Sequence, residues 1–383
     1  MTNARGGNAV VAFARRADGH LRRVGSFPTG GTGSGSFEDT AHGLVLGTSQ
    51  GEASPNNLIE DAELLFATNA RSDSITVFRV EKDELVEVDV QPSGGEKPVS
   101  VTVNRGVLYV LNSGEATDDL FDSEMHVIPN CTTGTPSITG FTVGTNGELD
   151  PIAGSTRRLS ELGGSGCAQV SFNPAGNVLV VTERLAKDEG PPGFMGDEGV
   201  ISTYTRNADG TLSTGPVVTE ATGSGPFGFT FNKAGDLFTT EQFDGIMGPG
   251  LGAAARYGVG GGGSLAPQSP SVGNGGTDTC WFVITDDGRY GYASSFFGDG
   301  RISIYRVDGG RLVLLEADAS SDVAAGASDL ALSRDSRYLY SLNSIEATIT
   351  VFRVGSDGRL RLIEVQRATR KSPMFAGVGL AAS

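Results

Sequence analysis

Cysteine is scarce in this chain: Cys131, Cys167 and Cys280 are the only three among 383 residues. An odd, sparse set is no disulfide framework, so buried apolar thiols are the expectation. Positive charge is short as well. Lys and Arg number 29 against 45 Asp and Glu, a formal net charge of −16. Phosphate backbones and anionic membranes would be repelled, so neither nucleic acid nor a membrane is expected as a partner. No apolar run approaches the roughly 20 residues of a membrane span, and no basic-then-apolar leader opens the sequence. The sequence as written therefore points to the cytoplasm, with secretion after removal of a leader as the alternative. Helical periodicity of useful length is missing too.

What the chain has is a repeat. An aromatic residue ends a short apolar run, a polar turn follows, and a leucine comes seven or eight positions later. The pairs are Phe13/Leu21, Phe78/Leu85, Phe141/Leu149, Tyr204/Leu212, Tyr257/Leu265, Tyr305/Leu312 and Phe352/Leu360. The turns carry Gly, Asn and Asp, which tolerate the positive φ of a tight hairpin, so each unit reads as strand–turn–strand. Before most units lies a second hairpin, clearest in VSFNPAGNVLVVTE (170–183), FGFTFNKAGDLFTTE (227–241) and DLALSRDSRYLYSLN (329–343). Four strands in a unit of about 50–60 residues is the pattern of a propeller blade. The expectation is an all-β fold: a seven-bladed β-propeller of four-stranded antiparallel blades, one domain over 1–383. The first blade is split. The N-terminus gives a stub of its second strand and then the outer two; the C-terminal MFAGVGLAA supplies its innermost strand, removing the free edges of an open sheet. Cys167 and Cys280 then fall on innermost strands of non-adjacent blades and are not expected to pair.

The phrases ITVFRV…DGRL and ISIYRV…GGRL, with the NPAG and TDDG turns, resemble the seven-bladed propeller lactonases. That family includes propeller-type 6-phosphogluconolactonases and fungal 3-carboxymuconate lactonising enzymes, and the resemblance covers essentially the whole chain. Active members have a His-containing start to one inner strand, an Arg-His start to the next, and a Glu after the second strand. This chain reads GSGCAQVSF with Cys167-Ala168-Gln169 at the first and GSGPFGFTF with Phe227-Gly228 at the second; Glu241 matches the acid. The basic groups that would bind a sugar phosphate are absent from those positions. The resemblance implies lactone hydrolase, cycloisomerase or lyase chemistry on a small neutral or aromatic compound.

The residue closing the second strand can be read in every blade: Asn3, Asn69, Asn112, Glu183, Glu241, Ser295 and Asn343. These positions should form a polar ring on one rim of the channel. Glu183 and Glu241 are the two acids and fall on adjacent blades. Long connections at 28–55, 113–136, 184–199 and 242–254 cover the same rim, where function tends to sit. Two of them carry histidines, His42 and His126, which are natural proton-transfer partners. The candidate catalytic set is Glu183, Glu241, His126 and His42. Asn69, Asn112, Gln169, Phe227, Trp281, Ser295 and Asn343 are candidate substrate-binding residues. No Cys/His cluster has zinc spacing; no cofactor is expected, and a divalent cation between the two glutamates stays open. The second reading is a non-catalytic binding propeller for a ligand or protein. Under either reading the expected partner is a small molecule first, with the oligomeric state left open.

Overall fold

The structure, a computed structural model, describes every residue except 37, 39, 49–62, 83, 116–130, 133, 188–198, 244, 299, 320–325 and 370–376. Every sheet is antiparallel. Five are four-stranded. The first comprises β3 (Leu44–Gly47), β4 (Leu64–Asn69), β5 (Ser74–Glu81) and β6 (Glu84–Pro92). The next blade has β7 (Pro98–Asn104), β8 (Val107–Asn112) and β9 (Ser137–Val143), with its outer strand broken into β10 (Leu149–Pro151) and β11 (Arg157–Arg158). Then follow β12 (Cys167–Phe172), β13 (Val178–Glu183), β14 (Val200–Thr205) and β15 (Val217–Glu220). The fourth comprises β16 (Pro226–Phe231), β17 (Leu237–Glu241), β18 (Ala253–Val259) and β19 (Leu265–Gly273). The last two are β20 (Thr277–Ile284), β21 (Tyr290–Phe297), β22 (Ile302–Asp308), β23 (Arg311–Glu316), and β24 (Ala327–Leu332), β25 (Tyr338–Asn343), β26 (Thr348–Val354), β27 (Leu360–Arg367).

The repeat marks the outer hairpins as expected. Its aromatics Phe78, Phe141, Tyr204, Tyr257, Tyr305 and Phe352 are all buried, each on the third strand of a blade. The leucines are the first or second residue of the fourth strand in every full blade but one, where Leu212 makes an isolated bridge to Arg206 ahead of β15. Alternate faces of neighbouring sheets share apolar clusters. Val101, Leu108 and Phe141 join Leu64, Phe66 and Val77, and Phe238 and Ala254 join Phe282 and Tyr305. The first strands of successive sheets contact one another, so they line the middle of the ring.

Six blades are complete; the expected seventh is not. β1 (Ala9–Arg15) and β2 (Leu21–Pro28) form a two-stranded sheet. It lies between the last and first full blades. Phe13 and Leu21 pack on Tyr338 and Tyr340, and Val10 and Phe27 pack with Leu44, Leu65 and Phe78. Met1–Asn3 touches it through Thr2 N to Ala9 O at 2.8 Å. Val378 N donates to Met1 O at 3.2 Å, and Met1 N donates to Val378 O at 2.9 Å. These bonds join the two chain ends, but Gly377–Ser383 carries no strand and Met374–Ala376 lies outside the described residues. The reason is local: too little of a second strand stands between the C-terminal segment and β1 for a four-stranded ladder to form.

Two further expectations change. The connection 28–55 is not all rim loop, because the apolar LVLG of Leu44–Gly47 pairs with β4 as its blade's innermost strand. The cysteines do pair, though not the two weighed above. Cys131 and Cys167 are disulfide-bonded with Cα atoms 5.3 Å apart, and Cys280 is the buried free thiol. The pair was hidden because Cys131 sits on a long connection whose path the sequence does not reveal.

Candidate functional site

The ring positions are where the repeat put them, but they point sideways into their blades rather than into a shared pocket. Asn69 is fully buried. Its amide donates to Ser74 Oγ (3.2 Å) and Thr76 Oγ1 (2.8 Å), and its Oδ1 accepts from Thr29 Oγ1 (2.6 Å) and Asn8 Nδ2 (3.1 Å). Asn343 repeats this with Thr348 and Thr350. Asn3 donates to Ser34 Oγ and Ser36 O, both at 2.9 Å, and Asn112 donates to Ser93 O at 3.4 Å. Ser295 lies inside β21 rather than at its end and shares a hydrogen bond with Thr279 Oγ1 at 2.8 Å. In each case the side chain ties the second strand to the segment leading into its own blade, or to the strand beside it.

Glu183 and Glu241 hold the same post. Glu183 accepts from Ser160 N (3.1 Å), Ser160 Oγ (2.7 Å), Ser165 Oγ (2.8 Å) and Ser202 Oγ (2.5 Å). Glu241 accepts from Thr222 Oγ1 and Gly223 N, both at 2.8 Å. The two acids share no hydrogen-bond partner, and neither side chain is solvent-accessible. Burial raises both carboxyl pKa values, against the lowering effect of the hydroxyl donors. In this geometry each acid is bonded to its own blade or to the segment leading into it. At Glu183 a carboxylate has replaced an amide at a joint rich in donors, whereas both of the Glu241 donors reach Oε1.

Other residues do converge on the channel mouth. The segment Thr40–Gly43 runs across it: Ala41 N donates to Ala168 O (3.0 Å), Val101 N to His42 O (2.9 Å) and Thr68 N to Gly43 O (3.0 Å). His42 adopts φ 62° to make this crossing. Gln169, on the first inner strand of the motif, is pinned by the backbone of the next: its Oε1 accepts from Phe229 N (2.9 Å) and its Nε2 donates to Phe229 O (2.7 Å). The second amide hydrogen faces His42 Nδ1 at 3.2 Å. That fixes the imidazole: Nδ1 accepts, so Nε2 carries the hydrogen and is the donor. His42 keeps part of its surface in solvent, yet desolvation pulls its pKa down to about 4, so it is neutral near pH 7.

Phe227, at the second motif position, is capped by a guanidinium. Arg184 Cζ lies 5.4 Å from the ring centroid, a cation–π arrangement, and Arg184 Nη1 donates to Gln242 Oε1 at 3.5 Å. Arg184 is 2% exposed, which makes it the largest fully buried side chain of the described residues. Phe227 in turn meets Trp281 edge-on at 5.3 Å. Cys280 Sγ approaches Asp278 Oδ1 at 3.1 Å and Gln242 Oε1 at 3.9 Å. Gly228 explains the missing motif histidine: a Cβ there would stand 2.3 Å from Cys280 O, so the close approach of β16 to β20 forbids a side chain.

Gln169, Phe227, Trp281 and His42, named from the sequence, lie in this cluster together with Arg184, Gln242 and Asp278, which the sequence did not single out. His126 lies outside the described residues. Arg184 and Gln242 directly follow the two glutamates, so the signal was one residue away from the acids that drew attention. Among the described residues no group of three or more His, Cys, Asp or Glu is placed to hold a metal ion, and no helix is long and apolar enough to cross a membrane.

No protein-family model matches the chain, and no curated protein sequence matches it. Solved structures do. Two are from Bacteroides and are provisionally assigned as 6-phosphogluconolactonases. The Bacteroides uniformis protein is 16% identical over 92% of this chain and 90% of its own, with a TM-score of 0.65. The Bacteroides fragilis protein is 19% identical over 97% and 94%, with a TM-score of 0.64. The periplasmic gluconolactonase of Pseudomonas aeruginosa is 19% identical over 81% and 84%, with a TM-score of 0.56. The chain therefore shares a β-propeller fold with these proteins; at these identities the likeness is one of fold, not of activity.

Proposed function

We propose that this protein is a lactone hydrolase acting on a small neutral or aromatic lactone at the channel mouth. One observation carries the reading. The two strand starts where the lactonase resemblance expects His and Arg-His lack them, yet a histidine and an arginine reach both places from elsewhere. His42 comes from the 28–55 connection to Gln169, and Arg184 comes from the end of β13 to Phe227. In hydrolysis, water adds to the carbonyl carbon, the ring C–O bond breaks, and the water's proton ends on the alkoxide to give a hydroxy acid. His42 Nε2–H and the Arg184 guanidinium are the donors for the carbonyl oxygen as its charge grows, and a dry site magnifies their effect. Asp278 is the carboxylate of the set and the candidate base. One arginine held over an aromatic ring is a weak phosphate receptor, so phosphorylated sugar lactones are poor substrates.

Two finer readings accompany this. Met1–Asn3, β1, β2 and the C-terminal segment stand as a seventh, split blade, supported by the reciprocal Met1–Val378 bonds. The Cys131–Cys167 bond supports an oxidising compartment outside the cytoplasm.

The test is hydrolysis of a neutral sugar lactone, an aromatic lactone and a phosphorylated sugar lactone. Turnover is expected on one or both of the first two, falling about a hundredfold or more in Arg184→Gln and in His42→Ala. Folding of each variant is checked by its melting curve. Absence of turnover on all three, or full activity in both folded variants, overturns the reading. The alternative, a binding propeller, is favoured by the exposed Ile246, Met247 and Leu251 beside the site, an apolar ledge suited to a ligand or protein.

A further inference from the structure

The residue that follows the register shift in an innermost strand is polar in three blades, and each of the three is engaged. Ser100 Oγ accepts from Val170 N at 3.1 Å. Gln169 is bound through both ends of its amide, and Asp329 accepts from Leu330 N at 2.8 Å. In the blade of β20 the same place belongs to Trp281, the only tryptophan of the chain. It is 3% exposed, yet its Nε1 has no hydrogen-bond partner among the described residues.

Ser294 stands directly opposite Trp281 in the ladder, so both side chains leave the same face of the sheet. It immediately precedes the ring position Ser295, as Thr182 precedes Glu183 and Thr240 precedes Glu241. Those two threonines donate to the innermost strand of the next blade, Thr182 Oγ1 to Phe227 O at 2.6 Å and Thr240 Oγ1 to Cys280 O at 2.9 Å. Ser294 is fully buried, and its Oγ has no partner among the described residues either. A buried, unpaired donor is costly. Here two stand side by side, at positions whose polar counterparts are paired.

The surroundings narrow what can pair with them. Trp281 belongs to an apolar cluster with Val283, Ile302 and Leu330, in which an anion would go uncompensated. A water accepting from both donors would carry two hydrogens of its own into that cluster, and a hydroxyl would carry one. A neutral carbonyl oxygen takes both donors on its two lone pairs and brings no hydrogen. The rings beside the pair are aromatic. Phe227 meets Trp281 edge-on at 5.3 Å, Phe296 lies 6.4 Å from it, and Phe297 packs edge-on against Phe296 at 4.8 Å. Arg184 lies against the same Phe227 ring, with Cζ 5.4 Å from its centroid. Phe297 keeps part of its surface in solvent, which marks the side from which a ligand enters.

We propose that Trp281 Nε1–H and Ser294 Oγ–H form a specificity subsite for a neutral aromatic ketone. They hold a carbonyl oxygen at one end of the ligand while its rings lie among Phe227, Phe296 and Phe297. Resting on the hydrolase reading above, the substrate is then an aromatic lactone with a second, ketone carbonyl on the side away from Arg184 and His42. The subsite fixes which lactone binds; Arg184 and His42 act on the carbonyl that reacts.

The probe is 1-indanone, with indane as the same ring system lacking the oxygen. As the only tryptophan, Trp281 reports binding through its own emission. 1-Indanone should shift that emission saturably and bind about tenfold or more tighter than indane, the worth of one or two hydrogen bonds. Ser294→Ala should remove most of this preference. Trp281→Phe keeps an aromatic ring without the N–H. In that variant the rise in Tm that 1-indanone gives the native protein should shrink to the rise given by indane. Melting curves of both variants without ligand check that they fold. Equal binding of the two compounds overturns the proposal and marks a plain apolar cavity. No response to either overturns it as well, and marks a pair satisfied by bound water. Full ketone preference in both folded variants overturns it too. Neither readout needs turnover, so the two readings fail separately. Arg184-dependent hydrolysis without ketone preference sinks the subsite alone; ketone preference without hydrolysis of any lactone sustains the subsite and sinks the hydrolase.

Discussion

The blades ending in Asn69 and Asn343 and those ending in Glu183 and Glu241 use one joint with two chemistries. In the first sector an amide both donates and accepts, bridging strand hydroxyls to the preceding connection. In the second, four donors converge on Glu183, three of them serine hydroxyls, and a carboxylate accepts from all four. The acids are thus no evidence of a reaction by themselves. What sets the second sector apart lies around the joint: His42 on Gln169, Arg184 on Phe227, and a crosslink between Cys131 and Cys167.

The crosslink gives the largest effect with which to sharpen that comparison. It spans a sequence separation of 36 residues, for which loop-closure entropy corresponds to about 4 kcal/mol. Cys131→Ser, or reduction of the native protein, should therefore lower Tm by several degrees. It should also free the connection that Gly166 N and Ser113 Oγ hold at Cys131. Asn343→Ala, in the uncrosslinked sector, removes one amide joint and should cost about 1–3 kcal/mol. Identical melting of oxidised, reduced and Cys131→Ser protein would erase the contrast between the sectors.

The blade pattern was legible because it depends on local chemistry repeated many times: aromatic, turn, leucine. Its breakdown at β1 was only half legible. The short stub at Met1–Asn3 was visible, but whether Gly377–Ser383 forms a ladder depends on a second strand being there to pair with. The site was harder. Glu183 and Glu241 were singled out by charge at equivalent positions, yet position along a strand does not say whether a side chain faces the channel or its own blade. Burial decided that. His42 was found as a loop histidine, but its partner Gln169 lies 127 residues away. Arg184 was overlooked because nothing in the sequence says that it folds over Phe227.

A buried acid in the asparagine sector tests whether raised carboxyl pKa values belong to the glutamate blades alone. Asp329 on β24 accepts from Leu330 N and Leu380 N, both at 2.8 Å, and burial pushes its pKa up to about 7. The folded form then holds a proton that the unfolded chain has lost, between an ordinary value of 3.8 and about 7. Its contribution to stability is full below about pH 3.8 and disappears as pH climbs through 7, with a slope of at most about 1.4 kcal/mol per pH unit. Asp329→Asn should flatten this part of the curve. The difference between native protein and variant should then favour the native protein at pH 4 and shrink or reverse by pH 8. Chemical denaturation at a series of pH values reads it directly; a constant difference would show that Asp329 titrates normally.

The smallest effect is the most direct exchange between the sectors. Glu183→Gln and Glu241→Gln remove a titrating group while leaving a side chain of the same length. Around Glu183 the serine hydroxyls can rotate to accept from the new amide, so the joint survives. Both native carboxyls are raised by burial. Their stabilising contribution is therefore present at low pH and falls as pH rises above the ordinary carboxylate range. At pH 5 the variants should lie within about 1 kcal/mol of the native protein; at pH 8 they should match or exceed it. Asn343→Asp, the reverse exchange, should import the same falling slope into the other sector, because the new carboxyl is buried where Asn343 was. Turnover on a hydrolysed lactone should stay within about threefold in both Gln variants, against about a hundredfold or more lost in Arg184→Gln. A hundredfold loss in either Gln variant, with melting unchanged, would return the glutamates to the chemistry and end the claim that they and the asparagines do one job.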